Sequence, residues 1–299
     1  MDWLRRLIRA ETGPGDSEPT SGTATIDDLA QRLGWSPAEL RAFTPAYRHF
    51  SVPKHGGGTR RISAPDRQTR DLQRAIMRRV IGGSPAHAAA FGFERGRSTV
   101  DHARLHSGRA VVVRMDIEDF FGSTTSERVR RYFRYVWDAD AASLLATLTT
   151  DGGSLPQGAP SSPVLSNHLN ERMDARLAGF AAVHGVIYSR YADDITFSMD
   201  ADDPKTIHAL IRFTDKVVSA AGYRLHRRRK LHIRRRHERQ VVGGLVVNER
   251  PRLPRERRRW LRAVEHRVTG GRSPSLSTEQ LAGWRAYRAM VDGESDRRA

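Results

Sequence analysis

Two adjacent aspartates, Asp193 and Asp194, lie in the segment SRYADDITFSMD, whose other residues are typical of β-strands. Apolar and polar residues alternate from 195 to 199, which predicts a strand with one core face and a turn near Ala192. Carboxylates crowded at a turn repel each other and raise one another's pKa. A divalent cation removes that repulsion, and hard oxygen ligands of this kind suit Mg²⁺.

A second acidic segment, MDIEDFF, follows a run of three valines and predicts a buried strand that ends at Asp116. If this strand ends beside the turn, Asp116, Asp193 and Asp194 converge, with the Ile117 carbonyl as a further ligand. Two Mg²⁺ ions about 4 Å apart could then clamp an in-line phosphoryl displacement, one activating the attacking hydroxyl and the other steadying the leaving pyrophosphate. An isolated Asp-Asp pair is more often a solvated turn, but the second acidic strand favours the metal site.

The composition favours a nucleic-acid-binding protein over a merely solvated basic one. The chain has 299 residues and a formal net charge of +17, and between residues 224 and 262 there are 16 Lys and Arg residues against three acidic ones. A basic surface concentrated in this way predicts a polyanionic partner. The absence of cysteine excludes disulfides and thiolate zinc sites. With no secretory segment and no apolar run near the ~20 residues of a membrane span, we expect a cytoplasmic protein without a membrane partner.

Helical and strand patterns are mixed without a regular βαβ rhythm, which predicts an α+β fold. We expect a flexible segment at residues 1–24, helices capped by Thr25 and Ser36, and a β-hairpin around the GGG sequence near residue 57. VLSNHLNERMDARLAGFAAVHG predicts one long helix, and VVGGLVVN predicts one short strand.

Four motifs resemble those of reverse transcriptases, in the order that family has them, over about residues 50–248. YADD resembles the catalytic motif, and MDIEDFF the first metal-binding motif. LPQGAPSSPVLSN resembles the substrate-positioning loop and helix, and VPKHGGGTRRISAP the fingers segment. The resemblance implies a right-hand polymerase with N-terminal helices and fingers at 25–110, a palm with an antiparallel sheet at 111–248 and a basic helical thumb at 249–299.

The subfamily that the chain most resembles is the bacterial retron type, whose GF..GRS block is echoed by GFERGRS at 92–98. Two positions depart from that pattern. His102 stands where retron enzymes usually carry Asn in an Asn-Ala-x-x-His motif that here ends at His106, and Gly243 replaces the Thr of Val-Thr-Gly. Both motifs are linked to RNA recognition, so we treat the two histidines only as RNA contacts.

The resemblance also assigns roles to further residues. Residues expected at the incoming dNTP are Lys54, Arg60, Asp119, Phe120, Phe121 and Gln157. Phe121 matches a steric gate that leaves no room for a 2′-hydroxyl, although an aromatic residue there could simply pack in the core. Basic residues expected on nucleic-acid phosphates are Arg227, Arg228, Arg229, Lys230, Arg255, Arg258 and Arg259.

The activity implied is RNA-directed DNA synthesis from dNTPs with two Mg²⁺ ions, or Mn²⁺ in their place. The retron resemblance implies a structured noncoding RNA as template and primer, its cDNA product, a role in antiphage defence and a separate effector protein. Three alternatives stay open: a group II intron-like or other defence-associated reverse transcriptase, a catalytically inactive RNA-binding scaffold, and an RNA-dependent RNA polymerase.

Overall fold

The first two helices begin at side-chain caps, as their sequences predict. In α1 (Ile26–Leu33) the Thr25 hydroxyl and the Asp28 carboxylate each accept a hydrogen bond from the other's backbone N–H. Ser36 and Glu39 make the same reciprocal pair at α2 (Pro37–Ala42). These pairs satisfy N–H groups that have no partner in the first turn of a helix, so both helix starts are fixed locally. The computed structural model describes residues 22–53, 57–83, 85–226, 231–270 and 276–293.

The described elements alternate irregularly between helix and strand, which agrees with the α+β prediction. The strands are β1 (Tyr47–Pro53), β2 (Thr59–Pro65), β3 (Val111–Asp116), β4 (Ile187–Tyr191), β5 (Asp194–Met199), β6 (His232–Arg235), β7 (Val241–Val242) and β8 (Leu245–Val246). The further helices are α3 (Arg67–Ile76), with a π-helical turn (Met77–Ile81), α4 (Thr99–Leu105), α5 (Ser126–Phe133), α6 (Ala139–Thr149), α7 (Ser161–Leu169), α8 (Glu171–Val183), α9 (Pro204–Ala220), α10 (Arg255–Thr269) and α11 (Thr278–Asp292).

A four-stranded antiparallel sheet carries both acidic segments. Its strand order is β4-β5-β3-β6. The apolar residues of β3 and β5 share one face, where Val113 pairs with Phe197 and Met115 with Ile195, and this face packs in a core with residues of α8 and α9. The opposite face carries Ser198, Thr196 and Asp194 opposite Val112, Arg114 and Asp116. Helix α4 and the β7–β8 hairpin pack on that second face around Val112.

The predicted hairpin near residue 57 is confirmed. Strands β1 and β2 pair from Tyr47↔Pro65 to Pro53↔Thr59. Its outer half is exposed, whereas Ser63 and Pro65 are buried at the end nearest the protein body. The hairpin therefore projects from the core rather than joining the central sheet.

The predicted long helix is in fact two helices, α7 and α8, which are separated at Asn170. The buried Asn170 side chain donates to the Ser166 carbonyl at 2.8 Å and to the Tyr223 hydroxyl at 3.0 Å. Its backbone leaves the helical region at φ −102°, ψ 7°. Asparagine competes with helical backbone bonding in this way, and a periodicity argument does not detect it.

The predicted strand VVGGLVVN is a hairpin of two short strands, β7 and β8. Gly243 and Gly244 form its turn with φ of 56° and 80°, a left-handed conformation that glycine adopts without strain. The sequence pattern was therefore right about extended residues and wrong about the reversal between them.

The C-terminal helices pack through aromatic side chains. The Trp260 and Trp284 rings lie 5.3 Å apart in an edge-to-face contact, and Tyr287 lies 6.0 Å from Trp284. Within the described ranges, no helix is both long and apolar enough to cross a membrane. A flexible segment was expected at residues 1–24, and its residues 1–21 lie outside the described residues.

Candidate active site

The two acidic segments meet at one end of the central sheet. Asp116, the last residue of β3, is the register partner of Asp194, the first residue of β5. The Ile117 backbone N–H donates to the Asp193 carbonyl at 2.9 Å. Ala192 and Asp193 form the two-residue turn between β4 and β5, and Ala192 has φ of 57°. The three aspartates that were predicted from the sequence are thus neighbours at one end of the sheet.

The Asp194 carboxylate is held by an arginine on the neighbouring strand. Arg114 forms a two-point ion pair with it, in which Nε donates to Oδ1 at 3.2 Å and Nη2 donates to Oδ2. The remaining Nη1 of Arg114 donates to the Val241 carbonyl at 3.2 Å. This bidentate arrangement fixes the orientation of the carboxylate and offsets its charge beside two other acids. Sequence reasoning missed Arg114, although an arginine inside an apolar strand requires a partner.

Asp116 has a histidine beside it. The His226 backbone N–H donates to the Asp116 carbonyl at 2.9 Å, and its ring lies with Nε2 3.5 Å from Asp116 Oδ2 and Nδ1 3.1 Å from Glu118 Oε1. A second backbone contact, the antiparallel bridge between Ile117 and Leu225, also holds this segment beside Asp116. His226 was not predicted, because its proximity arises from chain elements about a hundred residues apart.

The donor set fits a Mg²⁺ site completed by substrate, not a preformed cage. Among the described residues, no three His, Asp or Glu side chains are grouped closely enough to hold a metal ion by themselves. Mg²⁺ commonly uses one or two carboxylates together with water and substrate phosphates. Asp116 and Asp193 supply two carboxylates at the same end of the sheet, and the Ile117 carbonyl is adjacent. Asp194 was predicted as a third ligand, but its carboxylate here engages Arg114.

A fully buried ion pair supports the turn from the core face of the sheet. Arg190 and Asp174 are both 0% exposed, with Arg190 Nε and Nη2 donating to the two Asp174 oxygens at 2.8 and 2.7 Å. Tyr188 donates its hydroxyl to Asp174 at 2.6 Å, and burial raises the pKa of that hydroxyl, so it stays a donor. The remaining Nη1 of Arg190 donates to the Ala192 carbonyl at 3.0 Å, which ties the ion pair to the turn.

The GFERGRS segment packs directly against this turn. The Phe91 N–H donates to the Arg190 carbonyl at 2.8 Å. A Cβ built on Gly92 would lie 2.6 Å from the Ala192 backbone nitrogen, which is closer than real side chains come. Only glycine therefore permits the approach at this position.

The residues predicted for dNTP binding divide between surface and core. Arg60 is exposed on β2, and Asp119 is exposed with φ of 41°. Phe121 is half-buried, 6.1 Å from the exposed Phe93 ring. The Phe120 side chain, in contrast, is 5% exposed and stacks on the Tyr223 ring. The Phe120 ring fills the core, so the predicted contact of Phe120 with the nucleotide falls to its backbone.

The LPQGAPSSP loop contacts the fingers-like hairpin. The Ser63 N–H of β2 donates to the Gln157 carbonyl at 2.9 Å, and a Cβ on Gly158 would lie 3.0 Å from the Ser63 carbonyl. The loop and hairpin are thereby joined through backbone contacts. Lys54, which was predicted for the same nucleotide site, lies outside the described residues.

The residues predicted to contact phosphates lie on the surface wherever the structure describes them. Arg255, Arg258 and Arg259 are exposed on α10. A cavity of about 320 Å³ on the second sheet face is lined by Val112, Arg114, His232, Arg234, Arg239 and Val241. The segment Arg227, Arg228, Arg229 and Lys230 lies outside the described residues.

The two histidines predicted as RNA contacts are buried. His102 and His106 are both 0% exposed on the inner side of α4, and each ring nitrogen with a partner bonds to a serine of the central sheet. A ring enclosed in this way has no free surface for RNA. The prediction of direct RNA contact is therefore corrected for both residues.

Comparison with known proteins agrees with this geometry. A family model described as reverse transcriptase (RNA-dependent DNA polymerase) matches residues 52–243. The chain belongs to the reverse transcriptase family. The matched range includes Asp116 and the Asp193–Asp194 pair and ends at the β7–β8 turn, before α10 and α11.

Curated relatives of this reverse transcriptase are retron enzymes. The retron Mx162 and Mx65 reverse transcriptases of Myxococcus xanthus are each 35% identical to it, over 90% and 92% of this chain. The retron Ec86 reverse transcriptase of Escherichia coli is 31% identical over 90% of this chain. The chain spans 64%, 70% and 84% of the length of these three relatives, respectively. Its family is that of RNA-directed DNA polymerases.

Proposed function

We propose that this reverse transcriptase belongs to a retron and copies a dedicated structured noncoding RNA into single-stranded DNA. Synthesis would begin at a 2′-hydroxyl of that RNA, so the DNA product stays linked to it. The polymerase activity within this proposal rests on the pairing of Asp116 with Asp194 beside the Ala192–Asp193 turn. The retron relatives support the RNA partner, and we extend the proposal to a cytoplasmic antiphage role with a separate effector protein.

We assign the parts of a right-hand polymerase to the observed elements. The β3–β6 sheet with α8 and α9 forms the palm within residues 111–248. The β1–β2 hairpin and the surrounding helices form the fingers within 25–110, and α10 and α11 form the thumb within 249–299. In support, the hairpin projects from the core and the aromatic packing of Trp260 and Trp284 gives the last helices a core of their own.

Asp116 and Asp193 would hold Mg²⁺, with the Ile117 carbonyl beside them and Mn²⁺ as an alternative ion. The bound ion supplies positive charge for activating the primer hydroxyl and for steadying the pyrophosphate that leaves. Arg114 keeps the third carboxylate, Asp194, oriented at the edge of this pair. Arg190 fixes the Ala192 carbonyl, and through it the position of Asp193.

The nucleotide would lie between the hairpin and the palm. Arg60, together with Lys54, is suited to the triphosphate because guanidinium and ammonium groups bind phosphate oxygens. Phe121 would face the sugar and exclude a 2′-hydroxyl, while Gln157 would contact the sugar and the base-pair edge. Asp119 contributes from the exposed turn that follows β3. The arginines of α10 and the cavity beside Arg114 would follow the nucleic-acid backbone through phosphate contacts.

Primer extension on an RNA template with dNTPs and Mg²⁺ tests the activity. Asp116→Asn and Asp193→Asn should each lower incorporation by about a thousandfold or more, since removing charge stabilisation at a reacting phosphate commonly has effects of this size. Asp200→Asn is the matched control, because Asp200 directly follows β5 and its exposed carboxylate pairs with Arg109. Near wild-type activity in Asp116→Asn, with circular dichroism unchanged, would reject the site. No incorporation by the folded wild-type protein would instead favour an inactive scaffold.

Sequencing of the nucleic acid that co-purifies with the protein tests the retron assignment. A DNA of fixed length that a debranching enzyme releases from its RNA is the expected result. Free cDNA of variable length, or an intron RNA, would identify another kind of bacterial reverse transcriptase. Preference for rNTPs over dNTPs in the extension assay would identify an RNA polymerase.

A further inference from the structure

Two histidines and two serines form a buried polar cluster beneath the catalytic turn. The histidine–serine cluster consists of His102 of α4, His106 at the C-terminal cap of α4, Ser189 of β4 and Ser198 of β5, each 0% exposed. Ser189 Oγ lies 2.7 Å from Nε2 of both histidines, and Ser198 Oγ lies 2.7 Å from His106 Nδ1. Four polar side chains are thus bonded in one chain across three secondary-structure elements.

The hydrogen positions in this cluster follow from the number of protons available. One arrangement has His102 Nε2–H donating to Ser189, the Ser189 hydroxyl donating to His106 Nε2, and His106 Nδ1–H donating to Ser198. It leaves His102 Nδ1, which has no hydrogen-bond partner among the described residues, as a bare acceptor. The reverse direction would leave a buried N–H there, which is the costlier defect. Burial lowers the pKa of His102 to about 4 and also lowers that of His106, so each ring carries one proton at neutral pH, as this arrangement requires.

One end of the cluster contacts the residue that precedes the turn. The His102 ring is stacked on the Tyr191 ring, with centroids 5.6 Å apart, and Phe91 lies 5.4 Å from His102. Tyr191 is joined directly to Ala192. Arg190 supports the turn from the opposite sheet face. The catalytic turn is consequently held between a buried ion pair and the histidine–serine cluster.

The same histidine, His102, also lies beside the β7–β8 turn. A Cβ on Gly243 would lie 3.8 Å from His102 Nδ1 and 3.4 Å from the Thr99 carbonyl, at a backbone φ of 56°. His102 and Gly243 are the two positions at which the sequence departs from the retron pattern, and they are neighbours in space. A Cβ alone at 243 would only touch the His102 ring, so atoms beyond Cβ, such as those of threonine, would compete with the ring for space.

We propose that His102 and His106 are positioning residues that fix the Tyr191–Asp194 turn, and that His102 requires Gly243 beside it. This proposal rests on the proposed polymerase function, but not on the retron assignment. In this proposal His102 and His106 affect catalysis by holding the turn in place, and not by contacting RNA. A displaced turn would move Asp193, and misplacement by about 1 Å is enough to lower a reaction rate substantially.

Kinetics at saturation separate positioning from RNA binding. His102→Leu and Ser189→Ala should each lower kcat by roughly tenfold or more at saturating template and dNTP, with the Kd for RNA within about twofold of wild type. His102→Gln should recover most of kcat, because its amide can donate to Ser189 as Nε2 does. Thr214→Ala is the control for a buried hydroxyl lost elsewhere, since Thr214 bonds only within α9. A Kd raised by more than about fivefold, or kcat within twofold of wild type, would overturn the proposal.

Hydrogen exchange gives a readout independent of activity. Backbone exchange at residues 188–195 should be faster in Ser189→Ala than in wild type and close to the wild-type rate in His102→Gln. Exchange in the β1–β2 hairpin should be the same in all three proteins. If wild-type protein does not polymerise, the proposed function fails, and unchanged exchange at the turn would separately overturn the positioning role. Should His102→Leu fail to fold, Ser189→Ala decides both measurements.

The His102–Gly243 pairing is tested by a double-mutant cycle. Gly243→Thr should lower the melting temperature strongly beside His102 and by less in a His102→Asn background, because the smaller side chain leaves room for the added atoms. The strain of threonine at positive φ is common to both backgrounds and cancels in the cycle. Equal shifts in the two backgrounds would overturn the pairing.

Discussion

Replacing Asp174 by asparagine should destabilise the protein and lower its activity through the same buried arginine. Arg190 and Asp174 are both 0% exposed and share two charge-assisted hydrogen bonds. Removing one partner of such a pair leaves an uncompensated buried charge and costs about 3–5 kcal/mol. With an unfolding entropy of about 0.6 kcal/mol/K for a chain of this length, the melting temperature should fall by roughly 5–8 °C.

A matched surface pair provides the control. Asp200 and Arg109 also form a close ion pair, but their side chains are 73% and 31% exposed. Solvent-exposed pairs contribute about 0–1 kcal/mol, so Asp200→Asn should shift the melting temperature by no more than about 2 °C. Urea unfolding of both variants, followed by circular dichroism, gives the two free energies under identical conditions.

The double variant Asp174→Leu/Arg190→Met separates stability from activity. Replacing both charges by apolar side chains should recover most of the lost stability, since a buried pair is often no more stabilising than a hydrophobic substitute. Activity should stay low, because the hydrogen bond from Arg190 to the Ala192 carbonyl is still missing. A single variant destabilised by less than about 1 kcal/mol would refute the energetic argument. Full activity in the double variant would refute the role of Arg190 in holding the turn.

Three further outcomes are expected. Phe121→Ala should admit rNTPs, measured as a lowered dNTP/rNTP ratio of kcat/KM, and an unchanged ratio would leave the ring a packing residue. Burial lowers the pKa of His102 from 6.5 to about 4, so the free energy of unfolding is unaffected by this ring above pH 6.5 and falls below it, by about 2 kcal/mol at pH 5. The free energy of urea unfolding should therefore depend more steeply on pH in wild type than in His102→Gln, and equal slopes would contradict this. Gly92→Ala should lower kcat with little change in RNA affinity, because its Cβ would collide with the Ala192 nitrogen; wild-type kcat would show that the turn tolerates displacement.

The features that the sequence predicted are those encoded locally. Alternation along β5 places Ile195 and Phe197 in the core, and the turn before them follows from the same pattern. The capping boxes of α1 and α2 are three-residue patterns, and the structure has both. The position of Asp116 beside the turn was inferred from chemistry, because crowded carboxylates repel each other unless a cation offsets their charge.

The features that the sequence did not predict depend on contacts between distant segments. The polar face of β5 was interpreted only as polar, whereas α4 and its C-terminal cap cover it and supply histidines that bond to Ser198 of β5 and Ser189 of β4. Small hydroxyl side chains on that face were a usable signal, because a strand exposed to solvent more often carries larger polar residues. Asp174 lies within a helix whose pattern gives no indication that Arg190 is its partner.

The three aspartates lie in different environments, and this difference bears on how they divide the chemistry. Asp194 is paired with Arg114, and Asp116 lies beside His226, whereas Asp193 is in the turn itself. A carboxylate already neutralised by a bidentate arginine is a weaker ligand for a cation than one without such a partner. The Arg114 pair therefore weakens Asp194 as a ligand for Mg²⁺, and it limits the repulsion that three adjacent acids would otherwise impose on the fold. The adjacent aspartates are tolerated in part because Asp194 has its countercharge on the neighbouring strand, in Arg114.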